Sequence, residues 1–280
     1  MTKTIAIFSG FYLPFLGGIE RYTDKVASEL ISQGFNVIIV TTNHSNLKDI
    51  ENDKVKIYRL PTYGIFKQRY PIIKYNKQKK DILYKLKQEK IDYYICNTRF
   101  QLTTLLGLKY AKKHHKKAFI IDHGSAHFSV NNKTLDLFGK AYEHFITFCV
   151  KMYSPRFYGV SEQCNKWLKH FNINSSGVFY NSIDKTAYSK FRNKKFKVNC
   201  GRYTVISYAG RVMEEKGVKL LLDAFNEISD RNAVLIIAGD GPYLKEAKQQ
   251  YHNNKIIFTG KLSYPEVMTL FNRTDIFCYP

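Results

Sequence analysis

The sequence has 280 residues and 32.7 kDa, with 44% hydrophobic and 24% charged residues, a globular composition that excludes disorder along its whole length. Its 44 basic against 23 acidic residues give a net charge of +21. That sign favours polyanions such as nucleic acid, anionic lipid or phosphorylated substrates, although the preponderance of lysine over arginine fits an overall compositional bias equally well.

In chain order, residues 3–9 and 35–41 are short β-rich runs, and between them Ile19, Tyr22, Val26 and Leu30 recur at helical spacing. The opening "MTKTIAIFSG" has one lysine and runs directly into a glycine-bearing loop. It reads as the first strand of a cytoplasmic α/β protein, not as a secretory signal. Further strands are expected at 55–59, 93–96, 118–122, 156–160 and 177–180, and helices at 75–89, 102–114, 135–153 and 161–171. Residues 185–202, "KTAYSKFRNKKFKVNCGR", are polar, basic and aperiodic, and read as a linker. Alternation restarts with strands at 203–209, 233–238, 255–259 and 276–279, and helices at 218–228, 243–251 and 264–271.

Repeated βα units predict parallel sheets with helices on both faces. The expected fold class is therefore α/β, with two facing Rossmann-like doubly wound domains at 1–184 and 203–280 joined by the linker 185–202. Residues 275–280 read as a buried strand with no helix behind it, so the second domain is expected to be incomplete. No apolar run approaches the ~20 residues that cross a bilayer. The five cysteines contain no C-x-x-C pair, which argues against a disulfide framework or a structural zinc site.

In such sheets, ligands bind beyond the carboxyl ends of the strands. After the first strand, "SGFYLPFLGGIERYT" brings Gly17 and Gly18 to the mouth of a helix, where backbone can approach a ligand and free amides favour an anion; a plain tight turn is the other reading. His123 follows the strand in "IIDHGSAHF", and Asn181 and Asp184 follow another in "FYNSID", where turn chemistry also explains them. The most informative loop is "YAGRVMEEKGVKLLLDAF". It sets the Arg211 guanidinium, the Lys216 ammonium and a helix N-terminus around one point, as a diphosphate requires. Glu214 and Glu215 are competing partners for those cations. In "LIIAGDGPYLKEA", Gly239 and Gly241 permit close approach.

Taken in order, "GGIERYT", "HG", "YGVSE", "YNSID", "AGR" with "EKG", "AGDGP", "FTGKLSYPEV" and "DIFCYP" resemble the motifs of family-4 retaining glycosyltransferases of the GT-B fold, over residues 1–280. The resemblance implies transfer of a sugar from a nucleotide-sugar donor with retention at the anomeric carbon, and without a bound metal or other cofactor. It assigns Arg211 and Lys216 to the donor diphosphate, Gly17 and Gly18 to its approach, and Gly239 to the donor-side loops. His123 would contact the transferred sugar as the catalytic candidate, while Asn181, a donor-binding candidate, and Asp184 would belong to the interdomain cleft. Cationic groups and helix dipoles would then neutralise the charge that builds on the departing nucleoside diphosphate. One departure stands out. The family's Glu-x-x-x-x-x-x-x-Glu segment follows the strand matching "DIFCYP", and the sequence ends at Pro280. The 280 residues alone are therefore expected to have little or no transferase activity.

The first half, expected to face the acceptor, carries 26 basic against 12 acidic residues up to Val160. With the basic stretch 67–90 it is expected to dock on an anionic cytoplasmic membrane face, where a saccharide or lipid-linked acceptor of bacterial surface polysaccharide synthesis would be presented. The helix at 135–153 reads as a core helix in preference to a lipid-facing one. Two other readings remain, a truncated, inactive sugar-nucleotide binder and a basic nucleic-acid-binding protein; the latter leaves the Gly, Arg and Lys residues at strand ends unexplained. A dinucleotide-dependent oxidoreductase would need G-x-G-x-x-G after the first strand, which is not there.

Overall fold

The computed structural model describes residues 2–15, 17–44, 46–63, 71–127, 132–182, 189–191, 194–228 and 232–280. By its internal contacts the chain divides into two units, Met1–Ser182 and Ile183–Pro280.

The first unit contains, in order, β1 (Thr4–Phe8), α1 (Gly18–Ser32), β2 (Asn36–Asn43), β3 (Ile50–Asn52), β4 (Lys56–Tyr63), β5 (Ile72–Ile73) and α2 (Lys77–Lys87). There follow β6 (Tyr93–Asn97), α3 (Leu102–Lys113), β7 (Lys117–Asp122), α4 (Lys133–Lys151), β8 (Arg156–Gly159) and α5 (Glu162–Lys169). Its parallel strands lie in the order β4-β2-β1-β6-β7-β8. This is a doubly wound arrangement whose winding reverses between β1 and β6, and a crevice opens at such a reversal. Strand alternation builds the two layers: Ile5 and Ile7 pack with Ala27 and Ile39 on one face, and Ala6 and Phe8 with Val40, Tyr94 and Ile120 on the other. Both faces are covered, so the strands read as continuous apolar runs.

Two features differ from expectation. β3 and β5 pair antiparallel with β4, and at three and two residues they are too short to show a period. The strand expected at 177–180 is only an isolated bridge between Gly159 and Val178. α4 meets the core-helix expectation on one face alone. Glu143, Ile146, Thr147 and Val150 are buried, while Leu137, Phe138, Phe145, Phe148 and, just past the helix, Met152 are each 64–69% exposed.

The second unit contains β9 (Thr204–Ala209), a 3-10 turn at Glu214–Lys216, α6 (Val218–Glu227), β10 (Ala233–Ala238), α7 (Leu244–Gln250), β11 (Ile256–Gly260), α8 (Tyr264–Arg273) and β12 (Ile276–Phe277). All four strands are parallel, in the order β11-β10-β9-β12, so the winding reverses between β9 and β12. The described part of the segment expected as a linker is packed structure. Phe196, Val198 and Cys200 alternate onto one face of this sheet with Val205, Val234 and Ile236. Lys197 Nζ reaches Glu266 Oε1 at 3.0 Å, and Asn272 Nδ2 donates to the Phe191 carbonyl at 2.7 Å. The closing strand was expected to be buried, but Ile276 and Phe277 are about half exposed at the sheet edge. Among the described residues, no helix is long and apolar enough to cross a membrane.

Candidate functional site

In the first unit, the reversal between β1 and β6 brings together α1, the end of β6 and the end of β7. Gly17 caps α1 in an extended conformation with no side-chain capping bond. A Cβ on Gly17 would strike the Glu20 carboxylate, whereas one on Gly18 would enter open space. Glu20 is buried. Burial pushes its carboxyl up, opposed by bonds from its own and the Gly17 backbone N–H. The Gly17 N–H is thus turned to the Glu20 carboxylate, and the open position beside it is Gly18.

His123 lies within reach of the same helix. Tyr22 of α1 meets its ring edge-on at 4.9 Å, and Nε2 is 3.4 Å from Asn97 Oδ1. Asn97 Nδ2 donates to Thr23 Oγ1 at 2.7 Å, which itself donates to the Ile19 carbonyl at 2.8 Å. That chain of donors leaves Oδ1 facing the imidazole, so Nε2 carries the proton and Nδ1 is the accepting atom. Burial lowers the His123 pKa from 6.5 to about 4, only partly offset by Asp122. Folding thus holds His123 neutral. Its contribution to stability is present above about 6.5 and is lost as the pH falls through about 4. In histidine-resolved NMR titration, the His123 ring is expected to stay neutral at pH 6 and to titrate near 4; a midpoint near the free value would contradict this.

Beneath His123 lies a group of charges that sequence reasoning missed. Arg99, Asp122 and Glu143 have fully buried side chains. Arg99 Nη1 donates to Asp122 Oδ2 and Nη2 to Glu143 Oε2, each at 2.9 Å, and the Arg99 backbone N–H donates to Asp122 Oδ1 at 3.0 Å. The guanidinium carbon sits 4.0 Å from the Phe171 ring centre. Thr98, with φ +71°, turns the chain so that Arg99 enters the interior. For a β-branched residue that conformation costs on the order of 1–3 kcal/mol. Asp122 is thereby fixed immediately before His123. The one available sequence signal was an arginine two residues after a strand.

In the second unit, Arg211 and Lys216 are both exposed at the carboxyl end of β9. Neither joins an ion pair with an acidic side chain among the described residues. An aromatic pair across the reversal connects their surroundings. Tyr208 and Tyr279 stack at 5.5 Å, the Tyr208 hydroxyl donates to the Arg211 carbonyl at 2.9 Å, and Lys216 Nζ lies 5.8 Å from the Tyr279 ring centre. Gly217 ends the 3-10 turn in the left-handed region, with φ +68°, and caps α6 without a side-chain bond, so free backbone donors remain at that helix mouth. At Gly239 the fold itself requires a glycine. Its φ is +146°, and a Cβ there would collide with the Gly210 carbonyl oxygen, because the loops after β9 and β10 lie backbone to backbone.

Asn181 is exposed at the end of the first unit. Asp184, like the start of the basic stretch at 67–70, lies outside the described residues. A surface depression of about 460 Å³ lined by Lys112, Lys116, Lys117, Tyr153 and Arg156 lies at the amino ends of β7 and β8, the far end of the sheet from His123.

The family model described as Glycosyltransferase Family 4 matches residues 16–186, and the one described as Glycosyl transferases group 1 matches residues 190–280. The chain belongs to glycosyltransferase family 4. This family-4 chain is 25% identical over 290 residues to an uncharacterized glycosyltransferase of Methanocaldococcus jannaschii, covering 98% of the chain and 74% of that protein. It is 23% identical over 293 residues to the alpha-monoglucosyldiacylglycerol synthase of Streptococcus pneumoniae, covering 98% of the chain and 65% of that protein. Among solved structures, Anabaena HepE in complex with UDP and glucose superposes with a TM-score of 0.66 at 14% identity, covering 100% of the chain and 74% of that chain. The GT-B fold of such glycosyltransferases is thus shared over the whole chain.

Proposed function

We propose that this glycosyltransferase moves a sugar from a nucleotide-sugar donor to a saccharide or lipid-linked acceptor, with retention and without a metal ion in the transfer chemistry. The observation that carries the reading is the pair Arg211 and Lys216, exposed and unpaired with acidic side chains among the described residues, beside the uncapped N-terminus of α6. Two cations and oriented amides offset the charge gathering on a leaving diphosphate. In the first unit, the open face of Gly18 leaves the mouth of α1 accessible to an anionic group. Neutral His123 contributes Nδ1 as an acceptor for a hydroxyl of the transferred sugar. Gly239 shapes the loop and has no direct donor contact in this reading. The UDP bound to HepE, a structural neighbour, makes a uridine donor the first to try. A thermal-shift screen of UDP-, GDP- and ADP-sugars tests it: stabilisation by one base class is expected, and no response to any of them would refute donor binding.

The acceptor reading rests on α4. Leu137, Phe138, Phe145 and Phe148 form one exposed apolar stripe, flanked by Lys133 and Lys140 on the same helix, a pattern suited to lying in a lipid interface with anionic headgroups. The lipid product named for the pneumococcal relative agrees with an acceptor held at a cytoplasmic membrane face. A bacterial surface polysaccharide pathway is the setting we favour. Flotation with anionic vesicles is expected to carry the protein at low salt and to be lost in Phe145→Ser/Phe148→Ser. Equal binding by that variant and the parent would reject the stripe as the contact.

A further inference from the structure

The first unit also holds three imidazoles that sugar transfer does not use. His127 lies beyond β7, His144 is on α4, and His170 ends α5. One potential ligand atom from each lies within 4.8 Å of the other two. Nε2 of His144 and Nε2 of His170 are 3.3 Å apart. Two nitrogens bound to a tetrahedral zinc ion at about 2.0–2.1 Å would stand roughly 3.3–3.4 Å from each other, so this pair already spans one edge of such a site.

His127 supplies the third corner. Its Nδ1 is 3.1 Å from Glu143 Oε2, a fully buried carboxylate. Metal-bound histidines commonly give their second nitrogen to a carboxylate in this way, which fixes the tautomer and turns Nε2 to the ion. Aromatic packing restrains the rings. Trp167 stacks flat on His170 at 4.7 Å and 5° and meets His127 edge-on at 4.9 Å, while Phe171 lies 4.8 Å from His144. The ligand set is all nitrogen, with carboxylate only behind it. That suits zinc and its neighbours in the transition series, and not magnesium or calcium, which require oxygen ligands.

We propose that His127, His144 and His170 form a binding site for a zinc-like divalent cation, positioned by Glu143 and completed by solvent in the fourth place. The bound ion ties the segment after β7 to α4 and α5. It thereby steadies the helix that carries the apolar stripe and plays no part in donor chemistry. Because the site concerns metal binding alone, its fate is separate from that of the transferase reading.

The test is Zn²⁺ titration of the tag-free full chain against a chromophoric chelator, with Co²⁺ as a spectroscopic probe. One ion per chain with sub-micromolar affinity is expected, together with visible Co²⁺ bands of tetrahedral intensity. His144 and His170 are exposed, so His144→Ala and His170→Ala should keep the metal-free melting temperature. Each should weaken Zn²⁺ by at least about tenfold, as loss of even an outer partner does, and the double variant should lose the Co²⁺ bands. Unchanged Zn²⁺ affinity in the double variant, or equal stabilisation by Mg²⁺ and Zn²⁺, would overturn the proposal and leave an aromatic cluster held by a histidine–histidine hydrogen bond.

Discussion

Arg211→Ala is expected to cut the affinity for a nucleoside diphosphate by roughly ten- to a hundredfold, the worth of one charge-assisted hydrogen bond. Arg211→Lys should recover only part, because an ammonium keeps the charge but not the planar fork that grips two oxygens. Lys216→Ala should act in the same direction, and the double variant should bind no donor measurably. None of these changes should move the melting temperature much: both side chains are exposed, and the Tyr208 bond goes to the Arg211 backbone carbonyl, which survives. Calorimetric titration with UDP, GDP and ADP separates the outcomes. Parent-like affinity in Arg211→Ala would mean that the diphosphate is held elsewhere.

Arg99→Met is expected to destabilise the first unit by about 3–5 kcal/mol, because it leaves two carboxylates without their shared cation in a dry interior. The side chains of Asp122 and Glu143 have no solvent access to soften the loss, and methionine supplies volume against Phe171 but no charge. Lys116→Met gives the contrast. Its ion pair with Asp92 spans 3.1 Å between side chains 41% and 37% exposed, and solvent-screened pairs of that kind contribute little to stability. Denaturant unfolding of both variants measures the difference directly. If Arg99→Met unfolds no earlier than Lys116→Met, the buried triad is not what fixes the base of the site. Its position makes the expected loss matter for function, since Asp122 is the residue before His123 and its backbone must stay where β7 delivers it.

The helices and strands that carry the site were legible because each buries a face with a regular period. Ile5 and Ile7 go to one layer and Ala6 and Phe8 to the other, and such alternation survives in a one-dimensional string. Arg211, Lys216 and His123 were found because a doubly wound sheet collects ligands at strand ends, and strand ends can be counted. Glycines were harder. Gly18 and Gly239 look alike in sequence, yet one faces open space and the other faces the Gly210 carbonyl. The polar stretch before β9 hid Phe196, Val198 and Cys200 among lysines and asparagines, and short edge strands left no period to detect.

By itself the sequence determined the α/β class, the order of the βα units and the strand ends where cations meet a helix mouth, since all of these follow from local periodicity and chain order. Tertiary structure alone decided which side chains from distant segments share one interior. Arg99 meets Glu143 across 44 positions of chain, and His144 meets His170 across 26. Neither spacing carries a signature, because such pairs are selected by how helices pack on a sheet and not by any regularity along the backbone.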